Sequence, residues 1–268
     1  RAYLDDGSGC QRSAYAFPSL VAAQKGYALN FRACSGARIG DVRSTQLSAL
    51  SSATRYVTIS VGGNDAGFAD VLTECAMPGW MSNCNAAIDG AQSYISGTLP
   101  AALSSLYAEI RTRAPYARVV VVGYPRVFMG EDCNALTWFS PAEQTRLNQT
   151  ADQLNSRLAA AASARGFGFA NPTAAFTGHA VCDSPEWING LSNPVSESYH
   201  PNRAGHASGY APLVGQQLTG APTRVSAATV RAALADADRQ AALQRRYAER
   251  DAKIEQQPFR APQVAGAR

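Results

Sequence analysis

The run ARVVVVGYP (117–125) constrains this chain more than any other stretch. Four consecutive valines give a strand with no polar face, so both of its faces must be covered. Such strands belong to parallel sheets flanked by helices. RYVTISVGG (55–63) is a second run of the same kind, ended by two glycines, and ALNFRACS (28–35) and GFGFANP (166–172) are weaker strand candidates. Helical spacing appears between them. Residues 90–113 place Ile95, Leu99, Leu103, Leu106 and Ile110 three and four positions apart. Residues 141–165 follow Ser140, a capping residue, with Pro141 suited to the first turn. A final helix is predicted over about 201–218, after His200. Strands alternating with helices predict an α/β domain with a parallel sheet over 1–220.

The character changes near residue 220. GAPTR breaks the pattern, and 221–268 is rich in Ala, Arg, Asp and Gln. Val230, Leu234 and Ala237, then Leu243 and Tyr247, form a thin apolar stripe. This reads as an amphipathic helix packed on the domain, or as the start of a linker, with PFRAPQVAGAR as an extended, disordered tail. The net charge of +4 lies here, because the tail carries nine Lys/Arg and five Asp/Glu. The first 220 residues carry fifteen of each and offer no basic stripe for nucleic acid. No run reaches the eighteen or so apolar residues of a membrane span. No charged-then-apolar leader opens the sequence, so a signal peptide is expected to have been removed or to lie outside it.

Six cysteines, at 10, 34, 75, 84, 133 and 182, include no CxxC pair, and the chain has three histidines, which argues against zinc. No metal and no cofactor are expected. Three disulfides, and with them a secreted protein, are the favoured reading; buried free thiols in a cytosolic protein are the alternative. Sequence alone leaves fifteen pairings open. Order along the chain suggests Cys10–Cys34, Cys75–Cys84 and Cys133–Cys182, each closing a separate loop.

Ligands of open parallel sheets bind beyond the carboxyl ends of the strands. Gly62, Gly63, Asn64 and Asp65 follow one strand. The Asn64 amide is a donor suited to a developing oxyanion, while Asp65 is suited to capping the helix FADVL. An ordinary turn before a helix is the plainer reading. In ACSGAR (33–38), Gly36 offers a backbone N–H, or simply a turn pinned at Cys34. In SESYHPNRAGH (196–206), His200 is the candidate general base, with Pro201 at the first helical position. Either the Glu197 carboxylate or the Ser198 main-chain carbonyl can orient its ring. His179, beside Cys182, reads as a packed polar residue, and His206 falls inside the helix. Met77, Trp80 and Met81 read either as a substrate wall or as an apolar loop held by Cys75–Cys84; Trp138 and Phe139 carry the same ambiguity.

Taken together, ACSGA, ISVGGND and SYHPN resemble, in order and spacing, the SGNH (GDSL-type) hydrolases, above all the secreted actinobacterial lipases, esterases and phospholipases A1. The likeness spans roughly residues 8–218. It implies a flavodoxin-like three-layer fold, three sequential disulfides, Gly36 and Asn64 as oxyanion donors, and His200 as base. The family often has Asp three residues before this histidine, where Glu197 stands here. Several members of the branch use the main-chain carbonyl two residues before, here Ser198, and that Ser–His dyad is the favoured arrangement. The family's first strand ends in Gly-Asp-Ser, a sequence these 268 residues do not contain. RAYLDDGSGCQRS resembles the loop after it, so the first strand and nucleophile are expected upstream and the chain by itself is expected to be inactive. Ser8, with no strand before it, and Ser35 are poor substitutes. The resemblance implies a monomeric serine ester hydrolase acting on lipid or other carboxylic esters through an acyl-enzyme. The rival reading is a non-catalytic binding protein on the same fold.

Overall fold

The computed structural model describes residues 3–262. Three parallel strands, β1 (Tyr56–Ile59), β2 (Arg118–Val122) and β3 (Gly168–Ala170), pair in the order β1-β2-β3, with Thr58 opposite Val120 and Val120 opposite Gly168. Val119 to Val122 are wholly buried. Because alternate strand residues point to opposite faces, Val120 and Val122 join one core and Val119 and Val121 another. The first core includes Val21 of α1 (Phe17–Lys25), Leu72 of α3 (Phe68–Cys75) and Val214 of α7 (Ala211–Thr219). The second includes Leu103 and Ile110 of α5 (Leu99–Arg113) and Leu158 of α6 (Pro141–Ser163). Helix, sheet and helix thus stack as three layers, as the valine run requires. A three-residue turn, α2 (Ile39–Asp41), precedes β1.

Several expectations need correction. Residues 28–35 form no strand; a β-ladder needs a partner, and a cavity separates this segment from β1. The periodic run over 90–113 is divided at Thr98 into α4 (Cys84–Gly97) and α5, because Pro100 has no amide for the ladder and its ring crowds the preceding turn. The Ser140 start of α6 is a full capping box. Ser140 Oγ accepts from the Glu143 amide at 3.3 Å, and the Glu143 carboxylate accepts from the Ser140 amide at 2.9 Å. Pro201 lies before the last helix rather than in it. Asn202 caps that helix through Oδ1 to the Gly205 amide at 3.1 Å, and a wide turn at Gly205–Tyr210 leads into α7. Pro212 follows that turn and removes the amide that would have bonded to the carbonyl of Ser208.

Among the described residues the tail holds three short helices rather than one: α8 (Ala227–Ala235), α9 (Ala237–Arg245) and α10 (Ala248–Asp251). Asp236 divides the first two, its carboxylate holding Arg239 and Gln240 of the next turn. Helix α8 packs on α1. Of the expected loose end PFRAPQVAGAR, residues 258–262 are docked, with Phe259 buried, and 263–268 lie outside the described residues. All six cysteines pair in chain order: Cys10–Cys34, Cys75–Cys84 and Cys133–Cys182. No helix among the described residues is long and apolar enough to cross a membrane.

Candidate active site

A cavity of about 1110 Å³ runs between the 27–36 segment and β1. Tyr27 stacked on Tyr56, ring centroids 4.7 Å apart, joins its two walls. Gly36, Asn64 and His200 also line it. Among the described residues no strand pairs with the edge of β1 that faces away from β2. Val57 and Ile59 are only half-buried although their sequence demands cover.

The turn after β1 is built around close contacts. The Gly63 amide donates to Tyr124 Oη at 3.2 Å, and a Cβ at this position would lie 3.2 Å from the same ring. Asn64 Nδ2 donates to the Ala37 carbonyl at 3.1 Å, leaving its second amide hydrogen for another acceptor. Asp65 does not cap α3, which starts from Gly67 without a side-chain cap. Its two oxygens instead accept from the Ile39 amide at 3.1 and 3.2 Å, at the head of α2. Burial raises the Asp65 pKa above the ordinary carboxylate value, against the lowering effect of the Ile39 amide. Asn64 and Asp65 therefore fasten the β1 turn to the Gly36 loop. Gly36 has φ +79°, and a Cβ there would lie 2.2 Å from the Glu255 carbonyl oxygen. No other residue fits that place without displacing the tail.

His200 is exposed on the cavity rim, presented by buried Tyr199 at φ +59°. Its Nδ1 lies 2.9 Å from the Ser198 carbonyl oxygen. A carbonyl only accepts, so Nδ1 carries a proton, and in the neutral ring the lone pair is on Nε2. Glu197 is turned elsewhere: its Oε1 accepts from Tyr3 Oη at 2.6 Å, and its main-chain carbonyl accepts from Asn189 Nδ2 at 3.1 Å. Of the other two histidines, His206 lines the same cavity and His179 does not. His206 Nδ1 accepts from the Phe17 amide at 3.3 Å, and burial, with a smaller contribution from His200, lowers its pKa to about 4. His179 stacks on Trp187 at 3.8 Å, with Nδ1 2.8 Å from the Pro185 carbonyl oxygen.

Of the serines considered, Ser8 is buried and donates to Asp6 Oδ1 at 2.5 Å; Ser35 lines the cavity. Trp80, Met81 and Trp138 are exposed, whereas Phe139 is buried against Phe128 and Tyr199. Sequence reasoning missed the tail's part in this region. Asp251 forms buried ion pairs with Arg12 and Arg32, and Glu255 to Phe259 reach the Gly36 loop and Tyr199. Partners from sixty to more than two hundred residues apart leave no local pattern to read.

The parallel three-layer domain brings Gly36, Asn64 and His200 to one cavity, an arrangement that suits ester hydrolysis. The chain belongs to the GDSL-like lipase/acylhydrolase family, whose model matches residues 3–208. It is 43% identical over 216 residues to Lipase 1 of Streptomyces coelicolor, covering 80% of this chain and 79% of that protein. It is likewise 43% identical over 215 residues to a lipase of Streptomyces rimosus, with the same two coverages. Solved structures agree. The extracellular lipase of Streptomyces rimosus superposes with a TM-score of 0.76 at 41% identity, covering 80% of this chain and 92% of the other. Phospholipase A1 of Streptomyces albidoflavus gives 0.77 at 37%, covering 81% and 92%. By family the protein is a carboxylic ester hydrolase.

Proposed function

We propose that residues 1–220 belong to the hydrolase domain of a secreted, monomeric, metal-free lipase or phospholipase whose first strand they lack, with His200 as its general base. The observation that carries this reading is the Nδ1 contact of His200 to the Ser198 carbonyl, which frees Nε2 on the rim of the cavity that Gly36 and Asn64 also line. A serine hydroxyl attacks the ester carbonyl carbon while Nε2 takes its proton. The Gly36 amide and Asn64 Nδ2 donate to the resulting oxyanion. His200 returns the proton to the departing alcohol, leaving an acyl-enzyme. Water, deprotonated by the same nitrogen, then releases the fatty acid. In this reading Glu197 takes no part in orienting the ring.

The serine arrives on a strand that enters the cavity and pairs with the open edge of β1. The half-buried apolar side chains of β1 support this, since an added strand covers them and satisfies the edge backbone. Lipid esters are the substrates that the names of the relatives favour.

Intact mass of the protein from its natural source, before and after a fluorophosphonate, tests the assignment. The reading expects a protein heavier than 28.3 kDa that takes one adduct outside these 268 residues. An adduct on Ser8, Ser35 or another serine of this sequence would contradict it. A protein without any adduct would favour the non-catalytic binder.

A further inference from the structure

We propose that residues 254–261 are an internal strap lying in the substrate's place, with Phe259 filling the pocket that takes the acyl chain. The proposal rests on the hydrolase reading above and adds to it a segment beyond the part matched by the family model, which ends at residue 208.

Three of the strap's contacts place it at the site. At one end the Glu255 carbonyl oxygen packs directly on Gly36, and Gln256 Nε2 donates to the Ser35 carbonyl at 2.8 Å. In the middle Phe259 is 3% exposed and meets Tyr199 edge-on, centroids 4.8 Å apart, in the apolar cluster that includes Phe128 and Phe139. At the far end the Arg260 amide donates to Thr73 Oγ1 at 3.0 Å. One short segment therefore sets a carbonyl against the oxyanion glycine and an apolar group against Tyr199, the residue next to the base. An ester with an apolar acyl chain presents the same two features. Phe, Phe and Tyr offer the pocket no charge and no hydrogen-bond acceptor beyond the tyrosine oxygen, which suits an alkyl chain.

The strap is also built to lift. From Ala252 to Pro262 it contains no helix or strand, and between buried Ile254 and buried Phe259 the residues are mostly exposed. Segments with few buried contacts open at low free-energy cost. Its root is firm, because Asp251 is wholly buried in ion pairs with Arg12 and Arg32. An anchored base with a lightly held arm allows the arm to move without loss of the fold.

Dodecanoate, a fatty acid that cannot be hydrolysed, tests the proposal on the full chain. Calorimetric titration of the unmodified protein and of Phe259→Ala is compared, with hydrogen exchange followed over 254–261. An occupied pocket lowers apparent affinity by the fraction of time it is open, so Phe259→Ala is expected to bind about tenfold tighter. Dodecanoate is expected to speed exchange of 254–261 in the unmodified protein. Gln256→Ala, which leaves the apolar cluster intact, is expected to shift affinity the same way by about two- to threefold. Equal affinity in all three proteins, or no change in exchange on binding, would overturn the strap. Because binding needs no turnover, tighter binding by this chain together with no ester hydrolysis by the serine-bearing protein would fail the hydrolase reading alone. Hydrolysis with unaltered binding would fail the strap alone.

Discussion

The cavity wall that carries Asn64 rests on the sheet: β1 is paired with β2, whose valines are buried among Leu103, Ile110 and Leu158. The opposite wall, which carries Gly36, has no ladder behind it. It is held by the Cys10–Cys34 disulfide and by a buried cluster in which Arg12 pairs with Asp6 and Asp251, and Arg32 with Asp251. Within that cluster burial opposes ionisation of Asp6, but hydrogen bonds from Ser8 and Arg12 prevail and lower its pKa. One wall is thus held by area removed from water and the other by compensation of charge. They should fail separately, because apolar packing degrades in proportion to what is removed whereas a buried charge network fails when any member is lost.

Asp251→Ala should give the largest loss, about 3–5 kcal/mol, because two buried guanidiniums lose their shared carboxylate. Denaturant unfolding measures the loss, and hydrogen exchange should show it over 27–36 before 56–64. Leu103→Ala, at a fully buried site, should cost about 2–5 kcal/mol with the reverse exchange pattern. Loosening of both walls together by either variant would erase the distinction. Replacing Cys10 and Cys34 with serine should cost about 2–4 kcal/mol and again act on the Gly36 wall first.

A smaller effect concerns pH. The folded-state pKa of His206, about 4, lies below the ordinary value of 6.5, so between those limits the unfolded chain binds more protons. Its contribution to stability is full above pH 6.5 and is lost as pH falls toward 4, up to roughly 3 kcal/mol in all. Urea unfolding at pH 7 and pH 5 should show the slope, and His206→Phe should flatten it.

The same contrast explains what could be read from the sequence. The valine runs required a covered parallel sheet, and Ser140-Pro141 marked the start of α6, because those signals are local. The motifs at 33–38, 62–65 and 196–200 identified the family and named residues that the structure gathers around one cavity. Segment 28–35 looked like a strand but lacks a neighbour, and pairing is not a property of the segment itself. Asp65 was assigned to the helix that follows it, when its partner is the Ile39 amide twenty-six positions back. The docked tail was illegible for the same reason. Its stripe predicted one amphipathic helix, while Asp251 and Phe259 find partners far away in the chain.

The central claim is that His200 is the base and is oriented by a main-chain carbonyl rather than by Glu197. Steady-state hydrolysis of p-nitrophenyl butyrate by the serine-bearing protein, comparing His200→Ala with Glu197→Gln, tests it most directly. The account predicts that kcat falls by about 10³-fold or more in His200→Ala and stays within about threefold in Glu197→Gln. A fall in Glu197→Gln comparable to that in His200→Ala would show that the carboxylate orients the ring, and would contradict the account.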